Sequence, residues 1–393
     1  MSDQHVLVIG AGLGGLCLVQ GLRKAGVSVA CYERDADAIF RDQGYRIHID
    51  ETGRAALAEN LPANLYELVL ATGGRPRSET PVFDSRLNEI ATIGKDHTQP
   101  LVVNRLTLRQ ILLAGIENTV SFGKQFTHYE RRGSSILAHF SDGSTATGDI
   151  LVAADGVNSP VRKQYLPHAR IVDTGLRQLY GKIPLTEQAR KLVLERMFAV
   201  FTPIIGPGRQ FVGVSPVEYP EPVADAVARL APGLRLRDSE SYLMCSFGSR
   251  HELLPCSDDE LRSMSGEQLQ TMVLGLIADW HPRVGAMIEN WDLPAVFPLT
   301  LRTSVPIDAW QPTNITLLGD AIHAMSPAGG IGANTALKDA SRLVENLTDI
   351  AAGKPIEPTI AQYEADLRDY GFTAVRQSAA NGHRLFGQNP LPA

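Results

Sequence analysis

The sequence predicts an α/β protein. A Rossmann-like nucleotide-binding domain is interrupted by an inserted, mostly antiparallel β-sheet substrate domain and followed by C-terminal helices. Three observations carry this. A strand, a glycine turn, a helix and a second strand open the chain; the middle turns to long strand-like runs; and the buried-strand style returns after residue 313. A chain of 393 residues is also too long for one comfortable core and suits two coupled domains.

Residues 5–9, "HVLVI", form a short apolar β-type run, and residues 14–25 have helical spacing that puts Leu16, Val19 and Leu22 on one face. Residues 27–32, "VSVACY", read as a second buried strand, so β-α-β is complete within about thirty residues. The segment "GYRIHID" at 44–50 alternates, which places Arg46, His48 and Asp50 on one strand face. "SILAHFSDG" and "DILVAADG" add strands around a turn at Gly143. From about 171 to 300, "MFAVFTPII" and "RQFVGVSPV" flank a "GPG" hairpin, "SYLMCSFGSR" supplies a third strand, and the Pro-rich "EYPEPVADAVARLAPG" reads as a loop or short helix. "NITLLGD" then resumes the first style. Leu337, Ala340, Val344 and Leu347 share one stripe of a helix that ends at Gly353, and 358–386 is again helical. The expected division is 1–170 (nucleotide-binding, first part), 171–300 (substrate-binding), 301–353 (nucleotide-binding, second part) and 354–393 (C-terminal helical segment). A segment near 75–100 is a candidate to join the substrate-binding sheet.

Composition sets limits on function. Hydrophobic residues make up 44% and charged residues 20%, as in ordinary globular proteins, and a net charge of -6 disfavours nucleic acid as a partner. Cys17, Cys31, Cys245 and Cys256 show no C-x-x-C pair, and the histidines lack ligand spacing, so no metal site is expected. The apolar N-terminus lacks a basic region and is broken by glycines, and no run of about twenty apolar residues follows. The expectation is a cytoplasmic protein without a membrane span; its oligomeric state stays open.

"GAGLGG" sets Gly10, Gly12 and Gly15 in G-x-G-x-x-G spacing, with Leu13 and Gly14 between them. The first glycine allows the tight turn, the second lets backbone approach a pyrophosphate, and the third permits close helix–strand packing. The helix N-terminus offers free N–H groups and partial positive charge to the phosphates. Glu33, at the end of the second strand, can take ribose hydroxyls. This half-site does not choose between NAD and FAD. The stretch "LLGDAIHAMSPAGGIGAN" at 317–334 does. Asp320 stands at a strand's carboxyl end, where it can accept hydrogen bonds from a polyol such as ribityl. Gly329, Gly330 and Gly332 let backbone pass flat against a ring, and the helix beginning near Asn334 points its positive end there. A reduced flavin, anionic along its pyrimidine edge, suits that position.

These residues resemble the FAD-dependent aromatic hydroxylases, the group A flavoprotein monooxygenases that include the 4-hydroxybenzoate, salicylate and kynurenine hydroxylases and the tetracycline-inactivating monooxygenases. "GAGLGG" with Glu33 and Arg34 resembles the family's ADP site. "DGVNSPVR", with Asp155, Gly156, Ser159 and Arg162, resembles its Asp-Gly motif. "GDAIHAMSPAGGIGAN", with Gly319, Asp320, His323, Pro327, Gly332 and Asn334, resembles its Gly-Asp motif. Departures are Ile322, Gly330 and Lys338, none of which removes a cofactor contact.

The resemblance implies FAD as cofactor, with NADPH or NADH as a transient reductant. It places Arg34 on the adenine side, Arg105 near the ribityl-phosphate segment, Arg46 beside the isoalloxazine and Asp155 at the pyrophosphate. Pro327, Gly330, Gly332, Ala333 and Asn334 line the flavin side; Arg162 is expected to be structural and His323 part of the loop's scaffold. It implies hydroxylation of an aromatic, phenolic or polyketide-like molecule by molecular oxygen through a flavin C4a-hydroperoxide, with no catalytic acid–base residue of the protein's own. The alternative is a related flavoprotein reductase that inserts no oxygen. Phe198, Phe201, Phe211, Met244 and Phe247 on the middle strands are candidate substrate-pocket walls, with ordinary core residues as the alternative reading.

Overall fold

A computed structural model describes residues 4–37, 45–94, 100–237 and 240–392. Its central layer is a five-stranded, all-parallel sheet in the order Ile315–Leu317, Ile150–Ala153, His5–Ile9, Ser28–Tyr32, Val120–Ser121. The first strand of the chain lies in the middle, so successive connections leave it in opposite directions. That makes its carboxyl end the topological switch point, where open parallel sheets leave a crevice for ligands. The strands are largely apolar because both faces are covered, one by helices and the other in part by a small antiparallel sheet. Helix Leu13–Lys24 is buried over ten consecutive residues and packs against helix Gly332–Ala351.

Behind this layer lie a three-stranded antiparallel sheet (Phe126–Arg132, Ser135–Phe140, Thr145–Gly148) and helix Ile356–Phe386. The strand Arg46–Ile49 pairs with Leu101–Asn104 as a separate two-stranded ribbon. Residue 44, the start of the alternating segment, lies outside the described residues.

The eight-stranded sheet runs Phe297–Ser304, Ile171–Tyr180, Tyr242–Arg250, Phe211–Val217, Thr202–Ile205, Thr80–Asp84, Glu89–Ile93, with Lys182–Pro184 paired beside Tyr242–Arg250. Its pairings are antiparallel except that of Thr202–Ile205 with Thr80–Asp84. Thus strands from the 75–100 region extend it, and it continues past residue 300 to Ser304. The expected strand "MFAVFTPII" shortens to Thr202–Ile205, its first residue Met197 closing a turn of tight helix at Glu195–Met197, and the Pro-rich segment forms helix Val223–Leu230.

The two faces of this sheet differ. Leu243, Cys245 and Phe247 point to a core closed by helices Asp258–Ser263, Gly266–Leu276 and Pro282–Glu289. Tyr242 and Met244 point to the opposite face, toward the nucleotide-binding layer. The three covering helices were not anticipated, although two carry a legible start signal. Ser257 with Glu260, and Ser265 with Gln268, form reciprocal capping boxes.

Candidate functional site

Four strands of the parallel sheet end at one edge and carry the expected residues there: Gly10 after His5–Ile9, Glu33 after Ser28–Tyr32, Asp155 after Ile150–Ala153, and Asp320 after Ile315–Leu317. The glycines of the first loop separate by cause. Gly10 has φ +107, and a side chain on it would collide with the Ala154 carbonyl; one on Gly15 would collide with the Gly10 carbonyl. Gly14 faces Leu318 and Ala336. These three are demanded by the fold. Gly12 is not: its φ is -77 and a Cβ there would meet nothing within 4 Å. Gly332 is similar, with only ordinary contact to Met325 at 3.5 Å. Glycine at such positions leaves room for something outside the chain. Gly330 lies between them in character, left-handed at φ +64 yet with open space around it.

The carboxylates give a second sign of a ligand. Asp155 is mostly enclosed, its Oδ1 is buried without a partner among the described residues, and its Oδ2 is 3.5 Å from the Val161 N–H. Burial pushes its pKa up to about 6, against the pull of hydrogen bonds from Ser159 and Val161 and of the Arg162 charge. Asp320 is exposed, yet desolvation raises its pKa, opposed by the charges of His323 and Arg105. Accessible but desolvated describes a carboxylate on the wall of a deep cleft. An orphaned acid, a second acid at the cleft wall and two glycines without internal cause fit an extended dinucleotide with polyol and phosphate groups.

Other predicted residues are engaged with the protein. Both oxygens of Glu33 accept backbone N–H groups, from Ala11 at 2.7 Å and Asp35 at 3.0 Å, so the acid also fixes the glycine turn. Arg109, which the sequence reading missed, lies buried beneath it, donating to the Ala11 carbonyl and standing 3.8 Å from Glu33 and 3.5 Å from Asp35. Its signal was a second arginine one helical turn after Arg105 in an otherwise apolar helix. Arg34 is exposed. Arg105 opens helix Arg105–Leu113, capped by Asn104, and lies over the Tyr45 ring.

Asn334 is buried and acts as a clamp. Its amide accepts the Asp50 N–H at 3.0 Å and donates to the His48 carbonyl at 3.0 Å, tying the second glycine loop to the strand Arg46–Ile49. Its side chain is spent on these bonds, which leaves its backbone to address a ligand. His323 is fully buried against Asp339 at 2.6 Å; Asp339 also accepts the Gly319 N–H and the Tyr370 hydroxyl. Burial alone would lower the His323 pKa, but the Asp339 carboxylate more than offsets it and the net shift is upward. This pair braces the loop from behind. Arg162 donates to the carbonyls of Ala321 and Val157, joining two of the strand-end loops. Leu13 is buried at the first helical turn, while Pro327 and Ala333 flank the glycines of the second loop.

On the sheet side, Met244 faces the cleft with Tyr180 and Tyr242, and Phe201 bridges this group to a second containing Phe211, Phe386 and Ala328 of the glycine loop. Phe247 is a correction. It is wholly buried on the helix-covered face, because a strand's side chains alternate and Phe247 has the opposite parity to Met244. Phe198 also packs against that rear core, beneath Arg190. Among the described residues, one cluster offers metal-ligand atoms in proximity, the surface group His128, Glu130 and His139, with stacked imidazoles.

Residues 3–172 and 276–378 match the family model described as "FAD binding domain". The chain belongs to that family. As a member of this FAD-binding family it has FAD as its cofactor, and the fit described above concerns that molecule. A solved structure from Photorhabdus luminescens subsp. laumondii TTO1, described as an FAD-containing monooxygenase, is 32% identical with a TM-score of 0.83, covering 96% of this chain and 98% of that one. The Klebsiella pneumoniae HpxO structure with FAD and uric acid shares the fold at 22% identity, with a TM-score of 0.78 over 98% and 90% of the two chains. A dual O-methyltransferase/FAD-dependent monooxygenase of Cercospora beticola is 33% identical over 99% of this chain and 47% of its own length. The chain thus spans about half the length of the first curated relatives it matches. A Penicillium herquei FAD-dependent monooxygenase is 26% identical over 98% and 92%. No helix among the described residues is long and apolar enough to cross a membrane.

Proposed function

We propose that this protein is an FAD-dependent monooxygenase that uses NADPH or NADH and molecular oxygen to hydroxylate an aromatic, phenolic or polyketide-like small molecule. The observation that carries the reading is the cleft itself. Glycine-lined backbone, an orphaned Asp155 and an accessible, desolvated Asp320 lie on one side, with an aromatic sheet face opposite. The monooxygenases among its relatives support it.

Bound FAD supplies the redox chemistry and the activation of oxygen. The chain's own contributions are positional. Gly10, Gly12 and the start of helix Leu13–Lys24 would hold the pyrophosphate, and Glu33 the ribose. Asp320, with Arg105 nearby, would hold the ribityl chain. Backbone at Gly330–Ala333 would lie against the ring, and Arg46 would stand at its edge. Phe201, Phe211 and Met244 would wall the substrate space and exclude water. Reduced nicotinamide would visit transiently.

The test is NAD(P)H oxidation in air by FAD-loaded protein across phenols and polyketides, with peroxide and products followed together. A compound that stimulates oxidation and gains an oxygen atom from isotopically heavy dioxygen is the expected result. Flavin reduction with a reduced, unoxygenated product would instead indicate the reductase.

A further inference from the structure

The three-stranded antiparallel sheet behind the parallel layer carries a side-chain group that the proposed reaction does not use. His128 and Glu130 lie two residues apart on strand Phe126–Arg132, so their side chains share one face. His139, on strand Ser135–Phe140, stands directly opposite His128 in the register. The two imidazoles stack with centroids 4.2 Å apart and planes within 6° of parallel. One nitrogen of each ring and one oxygen of Glu130 all lie within 4.8 Å of one another. Spacing along the chain hid this group, because a hairpin turn and strand pairing bring in the third member.

The hydrogen bonds around the group leave ligand atoms free. The Thr127 hydroxyl donates to the His139 carbonyl at 3.0 Å and stands 3.1 Å from His128 Nδ1. With its one hydrogen given to the carbonyl, that hydroxyl can only accept from the imidazole, so Nδ1 carries the ring's proton. His128 Nε2 then keeps a free lone pair, the form in which histidine binds a metal. His139 Nε2 is buried and makes no hydrogen bond among the described residues, although Glu130 Oε1 lies 3.2 Å away. That is about the separation of two ligand atoms on one tetrahedral zinc, whose bonds are about 2.0–2.2 Å long. Arg132 holds the second oxygen of Glu130 at 3.0 Å, which lowers the pKa of the carboxyl and keeps it ionised.

We propose that His128, Glu130 and His139 form a site for one divalent transition ion of the zinc class, with water completing its shell. Two imidazoles and a carboxylate suit Zn²⁺, Co²⁺ or Ni²⁺; Mg²⁺ and Ca²⁺ prefer oxygen ligands throughout. His128 and Glu130 are exposed, so both can tilt toward the ion without disturbing core packing. The Arg132 charge opposes the ion, but it is exposed and partly screened by salt. Bound there, the ion staples the two strands across their hairpin. It also braces Tyr129, whose backbone N–H and carbonyl hold the Gln164 amide of helix Pro160–Tyr165, directly after the Asp155 loop. The site is separate from the FAD cleft and does not depend on the monooxygenase reading.

Tag-free, FAD-loaded protein is stripped of metal with a chelator and titrated with Co²⁺, then with Zn²⁺ in competition with a chromophoric chelator. The expected result is one Co²⁺ per chain with a visible absorption band, displaced by Zn²⁺. Zn²⁺ should also raise the melting temperature, because it binds the folded chain. His128→Ala and His139→Ala should abolish both the band and that rise, and Glu130→Gln should weaken binding. Thr127→Val, which removes only the orienting hydroxyl, should lower affinity about tenfold. Metal-free melting temperatures establish that the variants are folded, and the exposed His128 keeps the test valid should His139→Ala fail to fold. The assignment is overturned if wild type binds neither Co²⁺ nor Zn²⁺ at submillimolar concentration. It is equally overturned if binding persists unchanged in the histidine variants, which would place the ion elsewhere.

Discussion

On the parallel-sheet side of the cleft, the proposed FAD contacts are largely backbone: the turn at Gly10–Gly12, the passage at Gly330–Ala333, and helix starts behind both. The side chains there, Glu33, Asn334 and the His323–Asp339 pair, mainly hold that backbone in place. On the antiparallel side the reverse holds. Regular strands present side chains, and Tyr180, Tyr242, Met244 and Phe201 define the surface. A cofactor common to many proteins can be held by main chain, whose geometry glycines fix. A substrate particular to one protein has to be met by side chains, which can change without disturbing the strands beneath.

The largest expected effect breaks this comparison at the sheet's two faces. Phe247→Ala should cost about 3–5 kcal/mol of stability, as for other buried phenylalanines, and leave ligand preference unchanged. Met244→Leu, three residues earlier on the same strand but on its front face, should cost less than about 1.5 kcal/mol yet alter ligand affinities. Denaturant melts with parallel ligand titrations check both, and a changed ligand preference in Phe247→Ala would put that residue back on the pocket wall.

The next effect lies on the cofactor side. Asn334→Ala removes both bonds of the clamp between the glycine loop and the strand Arg46–Ile49. It should cost about 1–3 kcal/mol, because the Asp50 N–H and His48 carbonyl lose their partner, and it should loosen FAD as well. Retained FAD affinity and melting temperature would show that the clamp is dispensable.

A smaller effect depends on pH. Asp155 has a folded pKa raised to about 6, above its unfolded value of about 3.9. The folded state therefore holds its proton more tightly, and the contribution of this group is favourable below about pH 4 and is lost as pH rises through 6. In FAD-free protein, Asp155→Asn should gain stability relative to wild type across that window, by at most about 3 kcal/mol. A stability difference that is flat from pH 4 to 7 would mean that Asp155 is not desolvated.

Legibility in the sequence followed the same division. The β-α-β unit, the first glycine turn and the loop after Asp320 were readable because tight turns and close approaches demand glycine at set spacings. The proposed substrate walls were less so. Met244 and Phe247 are both apolar strand residues, and only the sheet's pairing shows which face each occupies. The Arg109–Ala11 bond joins chain segments 98 residues apart, and the Glu33–Ala11 bond closes a turn across 22 residues.

The central claim is that the open glycines exist for FAD rather than for the fold, and the most direct measurement compares Gly12→Ala with Gly15→Ala. Each FAD-free protein is melted, then titrated with FAD and followed by flavin fluorescence. Gly15→Ala should lose about 1–3 kcal/mol of stability from overpacking against the Gly10 carbonyl. Gly12→Ala should melt like wild type or slightly higher and still bind FAD at least about tenfold more weakly, a loss of about 1.4 kcal/mol. Wild-type FAD affinity in Gly12→Ala, or a loss of stability matching that of Gly15→Ala, would contradict the account.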